Sequence, residues 1–219
     1  MVLRTSSPAR AWRPAAAARL ARTLGLMFTP LPSDISTPDD DTVLWRYMDL
    51  PKLLALLGTS SLYLSRLDQL MDKYEGTWPK TTLAAASTNW PRSNFDFFTS
   101  ITAAMRAAHF VSCWCASPRE SSSHWGTYAG PHGIALVTSV AALKASVLAG
   151  VRFYIGEIEY LDFANAPPQN LNLYRPAFLK RAEFESEREV RVLVSTLGPE
   201  QQNGVTPFPR TVHRFSVSS

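Results

Sequence analysis

The chain has 219 residues, of which 46% are hydrophobic and 18% charged. That is too apolar for a disordered polymer and too mixed for a membrane bundle. No run of roughly 18 uncharged apolar residues occurs, so no membrane-crossing helix is expected, and one domain of ordinary size is the default. The net charge of +4 is unevenly spread. Five arginines (Arg4, Arg10, Arg13, Arg19 and Arg22) precede the first carboxylate, Asp34. Removing those five from 22 basic residues leaves 17 against 18 acidic ones, a net charge of −1 for the rest of the chain. A nucleic-acid footprint needs an excess of basic charge on the folded surface, and the sums offer none there.

The arginine-rich, acid-free N-terminus fits an organelle transit peptide by composition. The plainer alternative is an unstructured extension. Residues 29–42 hold Pro30, Pro32, Pro38 and the run Asp39-Asp40-Asp41, which reads as a polar linker. Residues 1–41 are therefore read as a basic, disordered extension and linker, and residues 42–219 as the domain. On that reading, deleting residues 1–37 leaves the thermal midpoint almost unchanged.

From Thr42 to Met48 the sequence alternates and is aromatic-rich, which predicts a strand. Asp49 caps a short helix opened by Pro51 and stopped at Gly58. Ser61 to Ser65 returns as a strand, and Leu67 to Gly76 is a loop or short helical turn. Phe98, Ile101, Met105 and Ala108 form a helical stripe over residues 95–109, read as core. A strand over residues 110–116 carries both cysteines, Cys113 and Cys115, two apart and so on one face. They lack the second ligand pair of a zinc site and read as buried structural thiols, in keeping with an intracellular, cytoplasmic setting.

Ser123 caps a short helix, Gly130-Pro131 breaks it, and residues 133–138 form a strand. Val140 to Leu148 is helical and Val151 to Tyr160 a strand. Asn172 to Phe184 reads as helix interrupted at Pro176, and Val190, Val192 and Val194 mark a last strand. Strands and helices alternate without a regular period. This predicts an α+β fold: a mixed, mostly antiparallel sheet with helices packed on it, in a single domain.

Three constellations could carry chemistry. Glu187, Glu189 and Arg191 project from one face if the late segment is extended, and carboxylates beside a guanidinium can bind sugar hydroxyls or stabilise a cation. A solvated strand edge, or a helical Glu187–Arg191 pair, is the plain alternative. Trp125 and Tyr128 are spaced to share a helical face that could stack on a base or serve as a core anchor. Asp72 and Glu75 form a second acidic pair. His124 and His132 have no metal-ligand spacing, so no metal is expected, and no phosphate-loop, dinucleotide or nucleophile-elbow motif occurs.

In order along the chain, Trp45-Arg46-Tyr47, Gly58, residues 70–76, Cys113, Trp125 with Tyr128-Ala129, His132-Gly133, and Lys180, Phe184, Glu187, Glu189 and Arg191 resemble the motifs of the mainly bacterial family known as domain of unknown function 2971. Met71, Lys73 and Phe184 depart from its pattern. The chain also ends soon after Phe215, so a terminal element of the family is expected to be missing. More distantly, Arg46 on the opening strand and Glu187-Arg188-Glu189 resemble two of the three motifs of ADP-ribosyltransferases of the Arg–Ser–Glu type. Ser65 and Thr138-Ser139 match the middle motif poorly.

The resemblance implies an NAD-consuming transferase or glycohydrolase, with NAD as substrate and no firmly implied cofactor. Glu189, Glu187 and Tyr128 would be catalytic, and Arg46, Tyr47, His132 and Arg191 would bind the dinucleotide. Asp72 and Glu75 would line the same cleft, with Trp125 and Phe184 packed behind it. The alternative is a non-catalytic domain binding a ligand or protein partner in a bacterial defence or stress module, its polar residues forming a structural network. A nucleic-acid-acting protein is third.

Overall fold

A computed structural model describes residues 33–146 and 153–196, with the backbone of two more strands, Val2–Arg4 and Thr211–Arg214. The strands are β1 (Val2–Arg4), β2 (Val43–Met48), β3 (Ser61–Tyr63), β4 (Ser65–Arg66), β5 (His109–Ala116), β6 (Ile134–Ser139), β7 (Tyr154–Glu157), β8 (Glu159–Leu161), β9 (Leu179–Arg181), β10 (Glu189–Ser195) and β11 (Thr211–Arg214). The helices are α1 (Leu50–Thr59), α2 (Lys80–Asn89), α3 (Arg92–Ala108), the short α4 (Ser122–His124) and α5 (Val140–Ser146). A seven-stranded sheet runs β1-β6-β2-β5-β10-β7, with β4 also paired to β5. Its pairings are antiparallel except β1 with β6. The fold is α+β, as the unperiodic succession of elements predicts.

Register fixes what each face of the sheet carries. Val190, Val192 and Val194 lie opposite Trp114, Ser112 and Phe110, and with Leu44, Leu62, Leu143 and Phe153 they form one core layer. Glu189, Arg191 and Leu193 lie opposite Cys115, Cys113 and Val111 and therefore point to the other face. There Leu193 and Val111 pack with Tyr154, Ala177, Phe178 and Ile35. Among the described residues, no helix is long and apolar enough to cross a membrane.

Several expectations are corrected. The ordered body begins before Thr42. Ile35 is buried in the second core layer, Ser36 donates to Glu157 at 2.6 Å, and Lys144 reaches Asp40 at 2.7 Å. The backbone oxygen of Asp34 accepts from Arg175. Proline and aspartate suggested a linker, but single buried anchors hold this segment on the domain. At the far N-terminus, Val2–Arg4 pairs with Ala135–Val137; residues 5–32 of the expected extension lie outside the described residues.

Helix α1 carries its predicted cap, the Asp49 carboxylate accepting from the Lys52 amide at 2.9 Å. It runs past Gly58, however, and Ser60 (φ 46°) takes the left-handed terminal position. Helix α2 was not foreseen. Only Thr82 and Ala86 of it are buried, so no apolar stripe announces it. The expected strand over residues 151–160 is two strands in different sheets, because β8 pairs with β9 rather than with β10. The expected helix over residues 172–184 is instead a 3-10 turn at Arg175–Phe178, strand β9, and a second 3-10 turn at Ala182–Glu187. Pro176 has no amide proton for a continuous helix, and pairing with β8 draws residues 179–181 into extended form.

Candidate functional site

Strand β10 delivers Glu189 and Arg191 to the second face, β9 brings Lys180 across to them, and the loop after β4 brings Glu75. Arg191 is fully buried and Glu75 is 3% exposed. The Arg191 guanidinium donates from Nε to Glu189 Oε1 at 2.5 Å, from Nη1 to the Ala177 carbonyl at 2.8 Å and from Nη2 to Glu75 Oε2 at 2.6 Å. Lys180 Nζ donates to Glu187 Oε2 at 2.6 Å and Glu189 Oε2 at 2.9 Å, and lies 3.3 Å from Glu75 Oε1. Three carboxylates thus surround two cations. Isolated buried charges would be prohibitive; here each is paired and hydrogen-bonded.

Glu187 forms the outer edge of the cluster. It ends the second 3-10 turn, and Arg188 (φ 45°) then turns the chain into β10. It is therefore not on the strand face with Glu189, and Lys180 folds back to join the two. Tyr128, 43% exposed, donates its hydroxyl to Glu187 Oε1 at 2.9 Å. The Tyr160 hydroxyl accepts from the Glu189 amide at 2.8 Å. Beside the cluster, Arg181 Nε binds Asp72 at 3.0 Å. Phe184 is half-buried under two cations, Lys180 at 4.9 Å and Arg181 at 5.2 Å from its ring centre.

The electrostatics follow from this geometry. Burial alone would raise the Glu189 pKa, but Arg191 and Lys180 outweigh it and hold the carboxyl well below the usual range. Burial would lower Lys180, but Glu189 and Glu75 raise it. Tyr128 is pushed up by burial and by Glu187, so its hydroxyl stays protonated as a donor. Burial, and then the charge of Glu189, also raise the Cys113 thiol, which leaves little thiolate near neutral pH. Cys115 is buried and Cys113 partly so. Among the described residues, no group of His, Cys, Asp and Glu could hold a metal ion.

The fold thus brings Glu75, Tyr128, Glu187, Glu189 and Arg191 together, with Asp72 next to them through Arg181. It does not bring Arg46 or His132. Arg46 lies on the opposite face of the sheet from Glu189, donating to Ser112 Oγ at 2.5 Å and to the Tyr63 carbonyl at 3.2 Å, and resting 5.7 Å over Trp114. The cause is the period of two: Trp45 pairs with Cys115, so the next residue, Arg46, faces the other way. His132 is exposed in the turn before β6. Tyr47 is on the Glu189 face, but its hydroxyl accepts from the Ser121 amide at 2.7 Å and its ring packs on His124 and Trp125. Trp125 packs there rather than behind the acidic cluster.

Sequence reasoning assigned no role to Lys180, Tyr160 or His124. Lys180 was visible as the first residue of the late motif, whereas Tyr160 and His124 carry no local signal. On the same face, Cys115 and His109 are six residues apart on β5, which spans about 20 Å. At the His109 end lies a separate cavity of about 450 Å³ between α3 and the segment before β9. Comparison with protein-family profiles, with curated proteins and with solved structures finds no match for this chain.

Proposed function

We propose that the chain is a non-catalytic binding domain in which the ionic cluster holds the fold together. The observation that carries this reading is saturation. Each carboxylate oxygen of Glu75, Glu187 and Glu189 already meets Lys180, Arg191 or Tyr128. A catalytic carboxylate needs a free oxygen within reach of substrate, and Glu189 has none. Arg46, the residue that would grip phosphate, sits across the sheet. The motif order supports membership of the domain-2971 family, and the free thiols support an intracellular setting.

The NAD-consuming reading keeps one observation in its favour. Tyr128 and Glu187 stand at the solvent edge of the cluster, where a ligand could meet them. The two readings separate on one pair of measurements. Wild-type protein, incubated with NAD and with cell extract as acceptor, is expected neither to bind nor to turn over NAD. Glu189→Gln is expected to lower the thermal midpoint, because it removes a charge on which Arg191 and Lys180 depend. NAD turnover that is lost in a Glu189→Gln variant of unchanged midpoint would establish the transferase instead.

A further inference from the structure

Helix α1 carries an apolar stripe that the fold does not bury. Leu53 is its buried residue, whereas Leu50, Leu54 and Leu57 are 44%, 59% and 49% exposed. Their i, i+4, i+7 spacing sets them on one side of the helix. Single exposed leucines are ordinary, but three aligned on one ten-residue helix make a patch. Tyr63, on the strand that packs beside α1, is exposed as well. No charge interrupts the stripe. Lys52 and the capping Asp49 are paired with each other at 2.9 Å.

Gly58 is the second observation. Glycine inside a helix weakens it relative to alanine, and the fold does not require glycine here. Its φ is not in the left-handed region, and a Cβ would meet nothing within 4 Å. Leu50, Leu54 and Gly58 form one i, i+4, i+8 row, so a ridge that Leu50 raises at one end falls to a notch at the other. Such a row is complementary to a copy of itself turned end over end. Antiparallel pairing sets Leu50 of each copy over Gly58 of the other. Parallel pairing would stack the two leucines and leave both notches empty. The helix dipoles favour the antiparallel arrangement too.

We infer that α1 is a self-association surface, on which a second copy of the chain docks through its own α1, antiparallel about a two-fold axis near Leu54. The exposed apolar area is roughly 400 Å² per copy, about half of the ~800 Å² that a stable interface buries on each partner. The dimer is therefore weak and reversible, with a Kd on the order of 100 μM. The Glu189 cluster takes no part in it, so the inference stands apart from the function proposed above.

The test is sedimentation equilibrium of the full chain from about 10 μM to about 1 mM, a range that brackets the expected Kd. The average mass is expected to rise from that of one chain towards that of two. Leu54→Glu is expected to keep the chain monomeric throughout while the thermal midpoint holds, because the side chain it replaces is exposed. Gly58→Ala is expected to act in opposite directions on fold and dimer. It raises the midpoint at low concentration by favouring the helix, and it weakens the dimer about ten-fold or more by filling the notch. A chain that stays monomeric to the highest concentration overturns the inference. A dimer that Leu54→Glu or Gly58→Ala leaves intact overturns it too. So does a monomer that Leu54→Glu destabilises, since another part of the chain then covers the stripe. A monomer that sediments with phosphatidylcholine vesicles only while Leu54 is present makes a lipid surface the occupant, and likewise overturns it.

Discussion

Arg191 is a charge that the fold cannot leave unpaired. It is fully buried, and four hydrogen bonds tie it to Glu75, Glu189 and the Ala177 carbonyl. Removing one partner of such a network strands the others in a medium that solvates them poorly. Arg191→Met is expected to cost about 3–5 kcal/mol in urea unfolding. Adding Glu189→Met is expected to cost less than the sum of the two single changes, because the stranded carboxylate is gone and Lys180 still neutralises Glu75. His109 acts through pH. Burial lowers its pKa to about 4, whereas an unfolded histidine titrates near ~6.5. Between those values the unfolded chain binds a proton that the native chain refuses, so stability is expected to fall as pH drops from about 6.5 to about 4. His109→Gln should flatten that slope, read as urea midpoints across the window. Glu189 adds its own loss only below about 4.3, where its unfolded form begins to protonate.

At the scale of elements, the loop after β4 links the two ends of the second face. Glu75 points into the ionic cluster, while the next residue, Gly76, lines the cavity. Gly76 has φ +71°, and a Cβ there would lie 2.6 Å from Leu67 Cδ2 and 3.0 Å from Arg106 Cγ. Both the backbone conformation and the contact require glycine. Gly76→Ala is expected to cost about 1–3 kcal/mol, measured by thermal unfolding. Elements also differ in how plainly they were written in the sequence. The β2–α1 unit was legible because alternation, the Asp49 cap and Pro51 agree. Helix α2 was not, since its stability comes from tertiary contact rather than from an apolar face of its own. The stripe Phe98, Ile101 and Met105 was legible as helix but not as the wall of a cavity, because periodicity reports which face is covered and not what covers it.

For the whole molecule, the N-terminal boundary is the clearest correction. Chains starting at Ser33 and at Pro38 differ by residues that include buried Ile35, the Asp34 carbonyl that accepts from Arg175, and Ser36 on Glu157. The shorter chain is expected to melt roughly 5–10 °C lower, from the loss of one buried isoleucine and its accompanying bonds. Equal midpoints for the two truncations would show that residues 33–37 contribute no stability. Nothing in the segment's proline- and aspartate-rich sequence marks Ile35 as core, because a lone apolar residue has no period to reveal it.

By itself the sequence determined the fold class, the positions of β2, β5, β6 and β10, the helix over α3 and the cluster of charged residues ahead of the last core strand. These rest on local causes: side-chain alternation, helical spacing, caps and turn residues act within a few positions of one another. Only the tertiary structure decided that Lys180 and Glu75 join Glu187, Glu189 and Arg191 while Arg46 does not. Membership of the cluster depends on which face each strand presents in its pairing, and a shift of one residue reverses that face. The cavity belongs to the same category. Trp78, Phe98 and Ile101 share its wall only because α3, the loop at Gly76 and the segment before β9 close around one space.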